Sequence, residues 1–159
     1  KMVTMHIGLS REFASQPLLH RIRLMVDEET LRDSEIYFKN SKTSLRANTF
    51  LLGLASPVLH KMLCGHFSES AARRVELDDV DEAIFIKLLD LWCGKELPQE
   101  EVADVLALAS VADRLAMTEV GAALEEAIIG RLDVALCGDV LMDSGRLGLG
   151  RVQAEARRL

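Results

Sequence analysis

The sequence predicts an α+β fold, and three observations carry that prediction. From Asp33 the pattern has a period of two: "SEIYFK" and "TSLRAN" alternate on either side of the turn "NSK". From Ser56 onward the apolar spacing is helical, broken by one short strand-like run, "RRVEL", at residues 73–77. Strands placed early with helices later do not build the alternating layout of a parallel βαβ sheet.

Each element follows in order. Residues 1–32 hold one amphipathic stretch, "QPLLHRIRLM", in which Leu18, Leu19, Ile22 and Met25 fall at helical spacing with arginines between them. This is either a helix packing on the body or a partner, or the tail of an upstream domain. The acidic, turn-prone "VDEETLRD" separates it from the hairpin, and "TFLLGLA" leads into the next helix. In "SPVLHKMLCGHFSES", Ser56 caps that helix and Pro57 suits its first turn, where a missing N–H costs nothing. Val58, Leu59, Met62 and Leu63 form its apolar stripe and Gly65 is the expected stop. In "DDVDEAIFIKLLDLWCG", Asp79 and Glu82 have the spacing of an N-cap with a carboxylate three positions on. Ile84, Phe85, Leu88, Leu91 and Trp92 supply the buried face, and Gly94 ends the helix.

"KELP" reads as a brief connection in which Pro98 opens the next helix, with Val102, Val105, Leu106, Ala109 and Ala112 inside. Thr118 is expected to cap a further helix through Leu124, Ile128 and Leu132. The last stretch reads as two shorter helices joined at glycines.

Composition excludes several classes of function. A chain of 159 residues can bury roughly 70% of its unfolded surface, so neither disulfides nor metal are needed for folding. No run of eighteen uncharged apolar residues suggests a membrane span, and no signal-peptide pattern follows Lys1. Cys64, Cys93 and Cys137 are odd in number and far apart, as expected of reduced thiols in a cytoplasmic or nuclear protein. The net charge is −6, and residues 76–126 hold fourteen acids against three bases. That field repels nucleic acid. The arginines near both ends (Arg11, Arg21 and Arg23; Arg146, Arg151, Arg157 and Arg158) have no interleaved aromatics and read as solvated helix faces.

Chemistry-bearing patterns fare no better. His60 and Cys64 share a helix face, but His66 lies beyond Gly65 and zinc-ligand spacing is absent. "GRLGLG" has its glycines in the wrong order for a dinucleotide loop and reads as a helix-ending turn. Ser56, Ser68 and Ser70 lack a nucleophile-elbow context. The carboxylates of "LDDVDE" fit capping better than acid–base work. No catalytic residue, metal site or cofactor is expected.

Taken together, "DSEIYF", "LRANTFLLGLASPVLHKML", "GHFSES", "VELDDVDEAIFIKLLDLWCGKEL" and "VLALASVADRLAMTEV" resemble the BTB (POZ) domain. The resemblance covers residues 33–132 and implies a small, mostly antiparallel sheet flanked by a cluster of helices. Residues 1–32 would then be a helical lead with a dimerisation role for Leu18, Leu19, Ile22 and Met25. Residues 133–159 are similar to the opening helices of the BACK region that often follows BTB in adaptor proteins. BTB domains that join cullin-3 ligases often carry a hydrophobic residue, any residue, then glutamate after the helix. Phe67, Ser68 and Glu69 fit that pattern, whereas the bland reading puts Phe67 in the local core and Glu69 in solvent.

Departures from the family pattern are Asn48 and Thr49, where a histidine and a basic residue are usual. Asp33 therefore lacks its usual basic partner, which weakens the likeness to repressor-type BTB domains. Leu59 and Trp92 replace a phenylalanine and a tyrosine with the apolar role kept. The resemblance implies a non-enzymatic homodimer that binds cullin-3, with a substrate protein held by domains outside this sequence. The alternative is an oligomerisation scaffold of a transcriptional or cytoskeletal regulator with no ligase role.

Overall fold

The computed structural model describes all residues except 1–3, 9–16, 66–71, 132–139, 143–144, 146–147 and 159. In chain order the elements are β1 (Thr4–Ile7), α1 (Pro17–Val26), a 3-10 turn (Glu29–Leu31), β2 (Ser34–Phe38), β3 (Thr43–Ala47), α2 (Thr49–Ala55) and α3 (Pro57–Cys64). Then come β4 (Arg74–Leu77), α4 (Glu82–Trp92), β5 (Leu97–Glu101), α5 (Val102–Arg114), α6 (Thr118–Ile129) and α7 (Gly150–Ala156). The α+β class holds.

The hairpin forms as the period-two pattern requires. β2 pairs antiparallel with β3 from Ser34 opposite Ala47 to Phe38 opposite Thr43. Ser34, Ile36 and Phe38 point inward and Glu35 and Tyr37 outward, so one register sorts the strand. β4 lies on the other side of β2 and runs parallel to it, giving a three-stranded mixed sheet in the order β3-β2-β4. On its outer face the Arg74 guanidinium stacks 5.2 Å from the Tyr37 ring centroid. On its inner face Phe38 meets Phe85 of α4 at 5.5 Å between ring centroids, tilted by 54°, the edge-inclined geometry aromatic pairs prefer. Leu59 and Leu63 of α3, Leu88 and Leu91 of α4, and Val105, Leu106 and Ala112 of α5 close the same core.

Helix ends show where local signals hold and where they yield. Ser56 caps α3 as its position predicts: the Leu59 N–H donates to Ser56 Oγ at 3.1 Å. Its hydroxyl also donates to the Leu115 carbonyl at 2.5 Å, fully buried and 59 residues away. Gly94 ends α4 with φ +81°, while the Gly94 and Lys95 N–H groups reach back to the Leu91 and Asp90 carbonyls. α5 ends in the same way without a glycine: Ala116 takes φ +55° and the Met117 N–H donates to the Ala112 carbonyl.

Four expectations need correction. Asp79 does not cap α4; it sits at φ +54°, and Asp81 holds the N-cap position without a side-chain cap bond. The cap comes from the hairpin turn instead, where Ser41 Oγ accepts the Glu82 N–H at 3.2 Å. Pro98 does not open a helix, because Leu97–Glu101 forms β5, antiparallel to β1 with Ile7 opposite Leu97. A strand from the chain's far end supplies that ladder, which no local pattern reveals, and Pro98 is tolerated in a two-stranded ribbon. Thr118 lies inside α6, with Met117 at the N-cap position, and the helix ends at Ile129, short of Leu132. Gly65 ends α3 as expected, at φ −85°, a conformation open to any residue.

The fourth correction concerns Asp33, whose carboxylate does have a basic partner, Arg73 at 2.6 Å. The parallel pairing of β4 with β2 brings that arginine alongside from 40 residues away.

Replacing Ser56 with alanine strands two buried backbone groups, the Leu59 N–H and the Leu115 carbonyl. Urea unfolding of Ser56→Ala is expected to show a loss of about 2–3 kcal/mol, with the slope unchanged. A loss below about 0.5 kcal/mol would mean that both groups find other partners.

Candidate functional site

The described residues hold no group of three or more His, Cys, Asp or Glu side chains able to share a metal ion. None of their helices is long and apolar enough to cross a membrane. What the fold does present is apolar surface. α1 and α2 both carry more apolar side chains than the core can take.

On α2, "TFLLGLA" is apolar all round. Leu51, Leu52 and Ala55 face the core, so Phe50 and Leu54, four apart, must face away. They are 72% and 52% exposed. On α1, Leu18 and Met25 are 66% and 49% exposed, Leu24 joins them, and Ile22 is half-buried. Two of the four residues expected to mediate dimerisation are thus clearly at the surface; the Leu19 side chain lies outside the described residues. The sequence reading overlooked Phe50, Leu54 and Leu24. The signal was present: a seven-residue helix with no polar face has an apolar side left over.

α1 and α2 are neighbours. Val26 at the end of α1 closes a small space with Leu51 and Leu52 of α2 and with Leu89 and Trp92 of α4. Beside Phe50 and Leu54 a groove of about 420 Å³ runs between α2 and α3, lined also by Thr49, Gly53, Pro57, His60 and Cys64. Gly53 sets the approach of these helices, since a Cβ there would stand 3.2 Å from the His60 ring. His60 and Cys64 share this exposed face; His66 lies outside the described residues.

A polar junction fixes how α2 leaves the hairpin. Asn48 caps α2 by accepting the Leu51 N–H at 3.0 Å, and its amide donates to the Leu31 carbonyl at 2.6 Å. Asp33 accepts the Thr49 N–H at 2.8 Å. That backbone bond outweighs the opposing effect of burial and, with a lesser contribution from the Arg73 charge, holds the Asp33 carboxyl below its ordinary value of 3.8. Asn48 and Thr49, the departures from the family pattern, are thus the residues that anchor α2.

Phe67, Ser68 and Glu69, the expected partner-binding residues, lie outside the described residues. They follow directly on α3, whose inner face is pinned by Leu59 and Leu63. Cys137 is likewise outside, while Cys64 is exposed and Cys93 buried.

A mixed three-stranded sheet under a helical cluster, with apolar helix faces turned outward, is the form of a protein-interaction domain. The chain matches the BTB/POZ domain over residues 23–132 and belongs to that family. It is similar to "Kelch-like protein 30" of Homo sapiens and of Mus musculus, at 35% identity over 106 residues in each case. The match takes in 67% of this chain and 18% of each relative's length.

The Asp33 junction makes stability depend on pH in a definite direction. A carboxyl whose folded pKa is depressed contributes stability above its unfolded pKa and loses it as pH falls through the folded value. Asp33→Asn keeps an acceptor for Thr49 but removes the charge. The parent is expected to be slightly more stable at pH 7, the margin closing below pH 3.8. A margin that widens on acidification, by thermal melts across that range, contradicts the assignment.

Proposed function

We propose that this chain is the interaction module of a substrate adaptor for a cullin-3 RING ubiquitin ligase, working as a homodimer and without catalysis of its own. Membership of the BTB/POZ family supports the reading, and so does Phe67-Ser68-Glu69 directly after α3. The single observation that carries self-association is the outward apolar face of Phe50 and Leu54 on α2. The substrate protein would be held elsewhere in a longer chain, consistent with relatives in which the match takes in only 18% of the length. Residues 133–159, which include α7, would begin a BACK-like helical region.

The energetics of each contact are those of ordinary interfaces. An aromatic side chain entering a partner pocket contributes roughly 1.5–3 kcal/mol by burial. Glu69 would add a hydrogen bond whose loss strands a partner donor at a cost of about 1–3 kcal/mol. The acidic run of residues 76–126 would steer a basic partner and make association salt-sensitive.

Sedimentation of the parent at tens of micromolar is expected to show a dimer, and Phe50→Glu with Leu54→Glu a folded monomer. A parent that sediments only as monomer removes the dimer from the reading.

Calorimetry against the N-terminal helical region of cullin-3 is expected to detect binding. Phe67→Ala with Glu69→Ala should weaken it by about 2 kcal/mol or more, some thirtyfold. A dimer that binds no cullin-3 leaves the oligomerisation scaffold as the function. A double variant that binds as well as the parent places the contact elsewhere.

A further inference from the structure

We propose that the cavity where α5, α6 and α7 meet is a receptor for one arginine side chain from a basic segment of a partner protein. The seam of the α5–α6 pair leaves this space because its side chains are small. Ala109 and Ala112 of α5 line it, as do Gly121 and Ala122 of α6, and the start of α7 closes one side. The space is about 250 Å³, under the roughly 300 Å³ at which sites for small-molecule ligands begin. It suits a single long side chain. It shares no residue with the groove beside Phe50 and Leu54, so it is independent of the dimer and cullin-3 readings.

The charges on its walls select the kind of side chain. Asp113, next to Ala112, and Glu125, one helical turn beyond Gly121, both line the cavity. Asp113 pairs with no cation among the described residues. Its neighbour Arg114 is turned elsewhere, donating to the Asp79 carbonyl at 3.2 Å. The Glu125 side chain is only 17% exposed, yet its cation among the described residues, Arg151 of α7, stands off at 3.6 Å. That is too long for a hydrogen bond, and a carboxylate so enclosed favours a closer partner. Arg151 itself is 58% exposed, so moving it out into water costs little. Two carboxylates against one loosely held guanidinium leave the cavity net negative, within the acidic run of residues 76–126. An incoming arginine fits on both counts. Its apolar stem lies along the small side chains, and its planar, weakly hydrated fork pairs with carboxylates. Arg151 is then the resident cation that the partner displaces.

The test is NMR titration of the isotope-labelled chain with N-acetylarginine amide, using N-acetylcitrulline amide as the neutral isostere. The arginine probe is expected to shift the amides of Ala112, Gly121 and Ala122 saturably, with a Kd on the order of 1–10 mM. The citrulline probe should leave them unmoved. Glu125→Gln should weaken the arginine probe roughly threefold, and Arg151→Ala should tighten it by a similar factor. Asp113→Asn, at an exposed position, should weaken it too and serves if Glu125→Gln fails to fold. Absence of saturable shifts with the arginine probe, or equal binding of the citrulline probe, overturns the receptor. An Arg151→Ala variant that binds no tighter than the parent overturns the displacement of Arg151.

Discussion

The Ser56 hydroxyl is the contact on which the helical half of this domain turns. It sits at the joint between α2 and α3 and also reaches the end of α5. One oxygen therefore satisfies a helix start and a helix end that would otherwise both be buried without partners. A buried hydrogen bond contributes modestly when made and costs heavily when broken. The joint consequently admits few arrangements, and the directions of α2 and α3 follow from it. Pro57 reinforces the same break by fixing the first turn of α3.

The sheet side is organised by a second constraint, the parallel run of β4 beside β2. It brings Arg73 to Asp33 and places Val75 and Leu77 against α3 beside Ile36 and Phe38. Lys87 of α4 reaches Glu100 of β5 at 2.9 Å, where the carboxylate is almost wholly enclosed. Burying that carboxylate without a cation would be costly, so α4 and β5 are held together. β1 then docks on β5, tying the N-terminal strand to the middle of the chain.

With the core filled, the surplus of apolar side chains decides what the surface can do. Phe50 and Leu54 stand together beside a groove, and Leu18 and Met25 are exposed on α1. A protein that spends large side chains on such a face is built to have it covered. The buried side chains of Ser34, Ser56 and Glu100 are engaged in joining elements.

Much of this was legible in the sequence. The hairpin, the Ser56–Pro57 break, the buried faces of α4 and α5 and the Gly94 stop are dictated by periodicity and by residues with narrow conformational preferences, which act within a few positions. Phe67, Ser68 and Glu69 were visible only as a pattern beside a helix end. Other features were hidden because their causes lie far away in the chain. Pro98 lies in a strand because β1 offers a ladder from the N-terminal end of the chain. Asp79 gives up the cap because Ser41 reaches Glu82 first. Asp33 finds its cation in Arg73 because of a parallel strand pairing. Phe50 and Leu54 became surface only once Leu51, Leu52 and Ala55 had claimed the core. Sequence alone determined the fold class and most of the helices, since those depend on local backbone and apolar spacing. Tertiary structure decided the partners of every long-range polar group and which apolar face stays uncovered, because both depend on what else arrives at the same place.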